Sequence, residues 1–212
     1  MNKQIWRVFI LTGMLMILSA AGICVWNAGE DRRAGEYAGQ MLADLKKTIP
    51  EEPQVSLPYE PLTGKDAVLP EIIPAKASES ENLSAEQPDY CGYISIPAIG
   101  IELPVRQNWS EAELKLSPCR YSGSLDTNDL IIAAHNYRSQ FGKLRSLSPG
   151  DLIEMTDLYG GKHRFTVSEI EIVEGDHIEQ MMQGGGEQWS LTLFTCTLNG
   201  QSRVTVRAER DL

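Results

Sequence analysis

A stretch near the C-terminal end of the chain constrains the fold most, because it predicts two paired strands together with their register. Residues 189–208 read Trp-Ser-Leu-Thr-Leu-Phe-Thr-Cys-Thr-Leu-Asn-Gly-Gln-Ser-Arg-Val-Thr-Val-Arg-Ala. Apolar and β-branched residues fill both arms. Asn199-Gly200 between them favours a tight hairpin turn, because both residues tolerate a positive φ. We therefore predict a β-hairpin whose loop is Asn199-Gly200.

Counting outward from that turn places Cys196 directly opposite Arg203. Opposed residues share one face of a sheet, with Cβ atoms roughly 4.5–5.5 Å apart. A fixed positive charge beside a thiol favours the thiolate, and it could stabilise an oxyanion that forms during attack on a carbonyl. The alternative for a single cysteine in a strand is a small buried hydrophobic residue.

The two faces of the hairpin differ in a way that favours the reactive cysteine. The face of Cys196 is polar and cationic, whereas the opposite face is apolar like a core. The first face also carries Thr192, Phe194, Thr205 and Arg207; the second carries Leu191, Leu193, Val204 and Val206.

Of the three histidines, His135 has the best position to act with the cysteine. It directly follows residues 129–134, an apolar run typical of a buried strand, so its ring is expected at the edge of the core and within reach of a groove. His163 lies in a predicted hairpin turn and His177 in an acidic loop, and both are expected to be solvated. From the residues alone, a structural role for His135 stays open.

Taken together, these residues resemble the sortases, the cysteine transpeptidases of the Gram-positive cell surface. The run Thr-Leu-Phe-Thr-Cys at 192–196, the arginine at 203 and the strand-end histidine at 135 occur in the order of that family. The resemblance covers residues 90–210. It implies a mainly β fold: a closed sortase-type β-barrel of about eight strands with short helices.

The resemblance also implies a role for each site residue. Cys196 would be the nucleophile that carries the acyl thioester, His135 the general acid and base, and Arg203 the group that stabilises the oxyanion or the substrate. Arg207 is expected to be structural or to lie beside the substrate. The resemblance does not fix the sortase class, although a class B- or D-like enzyme is expected. Because the sorting motif depends on the class, the motif is not fixed either.

Several other segments predict individual elements. Strands are expected at residues 92–97, 98–105, 129–134, 149–155 and 162–173. Residues 110–116 predict a short helix with Ser110 as N-cap and Glu113 completing a capping box. The segment 141–147 resembles a short helical segment found in several sortases.

The N-terminal residues predict a membrane anchor. An uncharged run from Val8 to Trp26 is long enough to cross the hydrocarbon core. Lys3 and Arg7 precede it, whereas the charges that follow cancel, so residues 1–7 are expected in the cytoplasm and the remainder outside. The protein would be a single-pass protein of the cell membrane. A cleaved signal peptide, cut after Ser19-Ala20-Ala21, is the alternative.

Between the anchor (8–26) and the catalytic domain (90–212), residues 27–89 predict a helix and a linker. A short amphipathic helix is expected at 33–49. Seven of the eleven prolines fall between Pro50 and Pro88, so this part predicts an extended acidic tether that holds the domain off the membrane. Residues 57–64 resemble a Leu-Pro-x-Thr-Gly sorting signal with three residues inserted. Either this is a chance match in a linker, or residues 50–80 form a lid over the groove.

The expected partners follow from charge and resemblance. A net charge of −10 argues against nucleic acid. The resemblance implies secreted proteins that bear a C-terminal sorting signal, together with an amine of a peptidoglycan precursor or of another surface protein. No cofactor is expected, although Glu174, Asp176 and Glu179 are alternatively a Ca²⁺ site.

The other cysteines allow few further sites. Cys91 and Cys119 allow a disulfide in an oxidising compartment. Zinc spacings such as Cys-x-x-Cys are absent from the sequence.

Other function classes fit less well. A papain-like peptidase would carry its cysteine at a helix start with the histidine downstream, and an L,D-transpeptidase would carry Ser-His-Gly-Cys, which this sequence lacks. A cysteine peptidase that acts by hydrolysis only, or a non-catalytic β-barrel binding module tethered to the membrane, stays an alternative.

Overall fold

The computed structural model describes residues 3–50, 89–177 and 189–211. They form one long helix and one β-barrel. The helices are α1 (Lys3–Thr48) and α2 (Glu111–Leu114), with 3₁₀ turns at Pro97–Ile99 and Leu144–Ser146. The strands are β1 (Tyr90–Ile96), β2 (Ile101–Arg106), β3 (Cys119–Ser122), β4 (Leu130–Ala133), β5 (Leu152–Asp157), β6 (Lys162–Glu174), β7 (Leu191–Cys196) and β8 (Ser202–Arg210).

The eight strands close into a barrel in the order β1-β2-β3-β4-β7-β8-β6-β5. Most neighbours are antiparallel, but β2 pairs with β3 and β4 pairs with β7 in parallel. The predicted mainly β, closed barrel is confirmed. The sequence did not indicate β3, since this strand has four residues and meets β2 through the single pair Arg106–Cys119.

The hairpin faces two different environments, as its alternating pattern predicts. Leu191, Leu193, Val204 and Val206 point into the barrel and join its main core. On the outer face, Phe194 packs with Ile131, Ala133 and Val173 in a second cluster, which Leu114 and Tyr121 border. Residues in and near α2 therefore cover part of the outer surface of β4 and β7.

The register of the hairpin is as predicted, but its turn is not. Cys196 pairs with Arg203, whereas the loop comprises residues 197–201 instead of Asn199-Gly200 alone. The Gly200 N–H donates to Thr197 O at 2.9 Å, and Gly200 has φ +73° while Asn199 does not take a positive φ. A β-turn with glycine in its last position needs only one left-handed residue. The register is unchanged because the loop extends equally on both sides.

The N-terminal residues form one helix where two were expected. α1 is continuous from Lys3 to Thr48. The sequence has no proline before Pro50, so nothing interrupts the hydrogen-bonded ladder once it has formed. Ion pairs one turn apart, Arg32–Glu36 and Arg33–Glu30, lie on the exposed side of the junction.

The second half of α1 packs directly on the barrel. Ala34, Ala38 and Leu42 are buried there. The Lys46 ammonium lies 2.7 Å from Glu102 Oε2 and 5.0 Å from the centroid of the Tyr93 ring. The docked helix therefore fixes the distance between the barrel and the apolar segment. Residues 51–88, with the possible lid and the sequence at 57–64, lie outside the described residues.

The first half of α1 stands free of the barrel. Its large apolar side chains, from Trp6 to Trp26, are exposed. Among the described residues, α1 is the one helix long and apolar enough to cross a membrane. A 46-residue helix is about 69 Å long, more than twice the thickness of a bilayer's hydrocarbon core of about 30 Å. It can therefore serve as a membrane anchor and also dock the barrel.

Candidate active site

The three predicted site residues lie side by side at one end of three neighbouring strands. The parallel register pairs Ala133 of β4 with Phe194 of β7. His135 follows two residues after the end of β4, and Cys196 ends β7 two residues after Phe194 and pairs with Arg203 of β8. All three side chains line the same groove on the outer face of the barrel. The Thr195 hydroxyl fixes this alignment, since it donates to Ala134 O at 2.8 Å.

Arg203 is held by hydrogen bonds to the turn, and these bonds use only part of its N–H donors among the described residues. Because Thr197 N–H donates to Ser202 O, the neighbouring Cys196–Arg203 pair is of the non-hydrogen-bonded kind, in which opposed side chains come closest. Arg203 Nη1 donates to Gly200 O at 3.0 Å and to Ser202 O at 3.1 Å. Nε and Nη2 make no hydrogen bond to any described residue, so they can donate to a ligand.

A buried glutamine holds the backbone of His135. The His135 N–H donates to Gln140 Oε1 at 3.0 Å, and Gln140 Nε2 donates to Leu114 O at 3.3 Å. Gln140 is fully buried. Its side chain thus links the loop after β4 to α2, and both elements border the groove.

The imidazole of His135 is half-buried and stacks on Tyr137. The two ring centroids lie 5.0 Å apart with an interplanar angle of 28°. His135 Nε2 is buried without a hydrogen-bond partner within the described parts of the chain. A buried polar atom without a partner is costly, and here it is a proton donor or acceptor left available for a bound molecule.

The surroundings of His135 favour its neutral form. Burial lowers the pKa of the imidazole, and the positive charge of Lys115 lowers it further, while Glu111 opposes both effects. Lys115 and Glu111 both lie on the segment around α2 and line the groove. An imidazolium form is therefore the minority near neutral pH.

Two cavities meet at Cys196. The first has a volume of about 510 Å³ and contains His135 and Arg203 in its wall. Its floor is an aromatic series in which Trp109, Tyr121 and Phe194 follow one another with centroids 5.3 Å apart. The second, of about 530 Å³, lies on the other side of Cys196 against Asn136, Gly142 and Arg145. A chain bound across the cysteine would fill both.

Comparison with known proteins decides the family. The model of the sortase domain matches residues 94–211, more than half of the chain. The chain belongs to the sortase family. Sortases are cysteine transpeptidases, so the cysteine at the centre of this groove is of the residue type that the family uses.

Individual sortases match over most of their length. Sortase A of Bacillus anthracis is 24% identical over 201 residues, which cover 92% of this chain and 89% of that protein. Sortase C1 of Streptococcus agalactiae is 28% identical with a TM-score of 0.53, covering 61% of this chain and 72% of that one.

Sortase C of Clostridium perfringens, solved with the C-terminal cell wall sorting motif, is 26% identical with a TM-score of 0.52, covering 65% and 80%. By name, these three relatives are sortases of classes A and C. A class B- or D-like enzyme stays a prediction from the sequence.

The second arginine of the hairpin, Arg207, does not line the groove. It is 1% exposed. Its Nε and Nη2 donate to Glu171 Oε1, its Nη1 donates to Thr192 Oγ1 at 3.0 Å, and its guanidinium lies 4.9 Å from the Trp189 ring centroid. Of the two roles expected for Arg207, these contacts favour the structural one.

The other histidines differ from expectation in one case. His177 is exposed, as predicted. His163 was predicted to be solvated, and this is wrong. Its Nε2 lies 2.8 Å from Asp157 Oδ2, and its Nδ1 contacts Arg210. The reason is that β8 pairs with β6 and places Arg210 opposite Phe165, two residues from His163, which the local sequence does not indicate.

The two other cysteines of the barrel, Cys91 and Cys119, do not compete with Cys196. All four cysteines are free thiols, so the disulfide considered for Cys91 and Cys119 is not formed. Burial raises the pKa of each of these two thiols to about 12. Since the thiolate is the reactive form, neither is a competent nucleophile at neutral pH.

The calcium alternative receives no support from the described residues. Within residues 3–50, 89–177 and 189–211, no group of three or more His, Cys, Asp or Glu side chains is arranged to hold a metal. Glu179, one of the three acids considered, lies outside these ranges. The calcium site therefore stays a prediction.

Sequence reasoning missed the residues that hold the site. Gln140 carries no pattern that distinguishes it from a surface glutamine, and Tyr137 stacks on His135 only because the loop folds back. The one usable signal was Trp109, an exposed aromatic residue beside a predicted helix cap. Asp31 accepts hydrogen bonds from the backbone of Arg138 and Ser139, which lie more than a hundred residues away in the sequence.

Proposed function

We propose that this protein is a membrane-anchored sortase. It would cleave the C-terminal sorting signal of secreted proteins through a thioester on Cys196 and transfer the acyl group to an amine of the cell wall or of another surface protein. The observation that carries the proposal is the alignment of His135, Cys196 and Arg203 on adjacent strand ends in one groove.

In the first half-reaction, the Cys196 thiolate attacks the carbonyl carbon of a residue in the sorting signal, a threonine by resemblance. A C–S bond forms and the carbonyl oxygen becomes an oxyanion. Arg203 is proposed to stabilise it, because Nε and Nη2 make no hydrogen bond within the described residues. When the intermediate collapses, the C–N bond breaks and protonated His135 gives its proton to the leaving amine.

In the second half-reaction, an acceptor amine attacks the thioester carbonyl. Neutral His135 takes the proton of the incoming amine, the C–S bond breaks and the Cys196 thiolate is restored. Water in place of the amine would give slow hydrolysis. Each half-reaction returns His135 to the protonation state that the other requires.

The two cavities suggest how the substrate lies. The aromatic floor of Trp109, Tyr121 and Phe194 suits the Leu-Pro part of a sorting signal, whose side chains are apolar. The second cavity has polar walls at Asn136 and Arg145, where the leaving peptide and then the acceptor amine would enter. Cys196 lies where the two cavities meet, so it would attack the carbonyl carbon of the peptide bond that joins the Leu-Pro part to the leaving peptide.

The lowered pKa of His135 has a consequence for turnover. The reaction begins from a thiolate with an imidazolium, and burial disfavours the imidazolium. The active form is therefore a minority protonation state, and the enzyme would be slow at neutral pH.

Localisation follows from α1. With its apolar half in the membrane, Lys3 and Arg7 would lie on the cytoplasmic side and the barrel outside. The proposed substrates reach the same place, since secreted proteins emerge there.

The test is a product analysis with the full-length protein in detergent micelles. The protein is incubated with a Leu-Pro-x-Thr-Gly peptide or an Asn-Pro-x-Thr peptide, with and without an amine acceptor such as triglycine. We expect an amide product with the amine and slow acid formation without it, and the preferred peptide names the motif. Acid alone under both conditions would favour the hydrolytic peptidase, and intact peptide throughout would favour the binding module.

A further inference from the structure

The loop that follows His135 is bound by a residue of the N-terminal helix. The carboxylate of Asp31 accepts the backbone N–H of Arg138 at 3.2 Å and that of Ser139 at 2.9 Å. The Ser139 hydroxyl donates to the backbone oxygen of Asp31 at 2.9 Å. Three hydrogen bonds therefore join α1 to a turn that begins three residues after His135.

Tyr137 connects these contacts to the imidazole of His135. Arg138 and Ser139 follow Tyr137, whose ring stacks on His135. Tyr137 O also accepts the N–H groups of Gln140 and Gly142, so the turn is internally closed. If α1 released Arg138 and Ser139, Tyr137 would lose its fixed position, and the His135 ring would lose the surface it stacks on.

The helix is shaped for this close approach. A Cβ on Gly35, one turn from Asp31, would lie 2.9 Å from the Ser139 Cβ. Ala34 and Ala38 are buried on the same side. A bulkier residue at position 35 would push the turn away, so the small side chains and the Asp31 carboxylate serve one contact.

Asp31 is ionised under ordinary conditions. Burial raises the pKa of its carboxyl, but the hydrogen bonds from Ser139 and Arg138 outweigh burial and lower it overall. A charged acceptor makes stronger hydrogen bonds than a neutral one. The contact is thus present above the ordinary carboxyl pKa of about 3.9, and it is lost as the pH falls through the lower value in the folded protein.

We propose that Asp31 is a positioning residue for His135, which makes the juxtamembrane part of α1 a component of the active site. Asp31 lies five residues after Trp26, about 8 Å along the helix axis. The turn behind His135 is therefore fixed close to the end of the apolar segment, where a membrane-bound substrate would present its sorting signal. The catalytic part of this inference rests on the proposed function; the positioning of the ring does not.

The test compares three variants of the full-length protein in detergent micelles. Asp31→Ala removes the acceptors, and Asp31→Asn keeps the shape but removes the charge and one acceptor. Asp44→Asn is the matched control, because it makes the same chemical change on the same helix, where Asp44 is exposed and, among the described residues, pairs with Lys47 alone. Thermal melting shows which variants are folded at the temperature of the measurements.

The first readout is an NMR titration of the histidine rings, which gives three signals because the chain has three histidines. A His135→Gln sample assigns the signal of His135. We expect the pKa of His135 to rise toward its ordinary value in Asp31→Ala and less in Asp31→Asn, because the ring becomes more exposed. His163 and His177 should titrate unchanged, and Asp44→Asn should match the wild type throughout.

The second readout is steady-state transpeptidation. Asp31→Ala should lower kcat roughly tenfold, as misplaced catalytic groups do, with KM for the peptide nearly unchanged, since Asp31 does not touch the groove. An unaltered pKa of His135 in the folded Asp31 variants would overturn the inference. If the wild type forms no product, the proposed function fails, and the titration still decides the positioning.

Discussion

The two ends of the β7–β8 hairpin contain the same kind of pair and use it differently. Near the turn, Cys196 faces Arg203; four residues further along each strand, on the same face, Thr192 faces Arg207. Trp189 and Glu171 contact Arg207, so it is buried. The groove reaches Arg203, and it stays half exposed.

The residues that surround each arginine therefore determine its role. A buried guanidinium is tolerated only where its donors are satisfied, and Arg207 bonds Glu171 and Thr192. Arg203 bonds only turn carbonyls, through one nitrogen, within the described parts of the chain. One arginine therefore stabilises the hairpin, and the other has donors for a developing negative charge.

The largest effect is expected for Cys196, the proposed nucleophile. Cys196→Ala should lower transpeptidation by about 10⁴-fold or more, because the covalent route is lost. Its melting temperature should stay near that of the wild type. Cys24→Ser is the control that removes a thiol elsewhere, and it should keep full activity. Substantial turnover by Cys196→Ala would show that another residue forms the bond.

The next effect separates the two arginines by activity. Arg203→Lys should lower kcat by roughly 10²- to 10³-fold, in the range found for lost oxyanion donors, because a point charge does not replace a planar fork. Thermal stability should hardly change. The matched substitution Arg207→Lys should affect stability first. Equal losses of kcat in the two folded variants would remove the distinction.

Stability should be affected in the reverse order. Arg207→Met removes a buried cation from Glu171 and Thr192, which should cost about 3 kcal/mol of unfolding free energy. For a chain of this size that lowers Tm by about 6–12 °C. Activity per folded molecule should be preserved at low temperature. A wild-type Tm for Arg207→Met would mean that the buried pair does not stabilise the hairpin.

The smallest effect concerns the charges around His135. Lys115→Gln should raise the pKa of His135 and Glu111→Gln should lower it, because Lys115 disfavours the imidazolium and Glu111 favours it. NMR titration measures both shifts, and the limb of the pH–rate profile assigned to His135 should move in the same directions. Shifts of the same sign in both variants would show that structural change, not charge, dominates.

Local pattern predicted the hairpin, whereas distant contacts determine the rest of the site. The Asn-Gly turn and the two-residue period were enough to pair Cys196 with Arg203, because both residues lie within a few positions of the turn. His135 reaches Cys196 through the parallel pairing of β4 and β7, which no turn between them specifies. Its role was predicted only by resemblance to the sortases.

The supporting residues could not be predicted for the same reason. The contacts of Gln140 and Asp31 depend on loops and on a helix that meet only in the folded chain. The docking of α1 on the barrel could not be predicted, because composition shows where a chain is proline-rich, not which helix packs on which surface. The four residues of β3 were too few to give a period.

The thioester mechanism is tested most directly by intact-mass spectrometry of the full-length protein after brief incubation with each sorting peptide. A thioester on Cys196 should add the mass of the acyl part, vanish with an amine or hydroxylamine, and be absent in Cys196→Ala. In Arg203→Lys it should form far more slowly, and in folded Arg207→Lys at nearly the wild-type rate. If the wild type forms no adduct with either peptide, the thioester mechanism is contradicted.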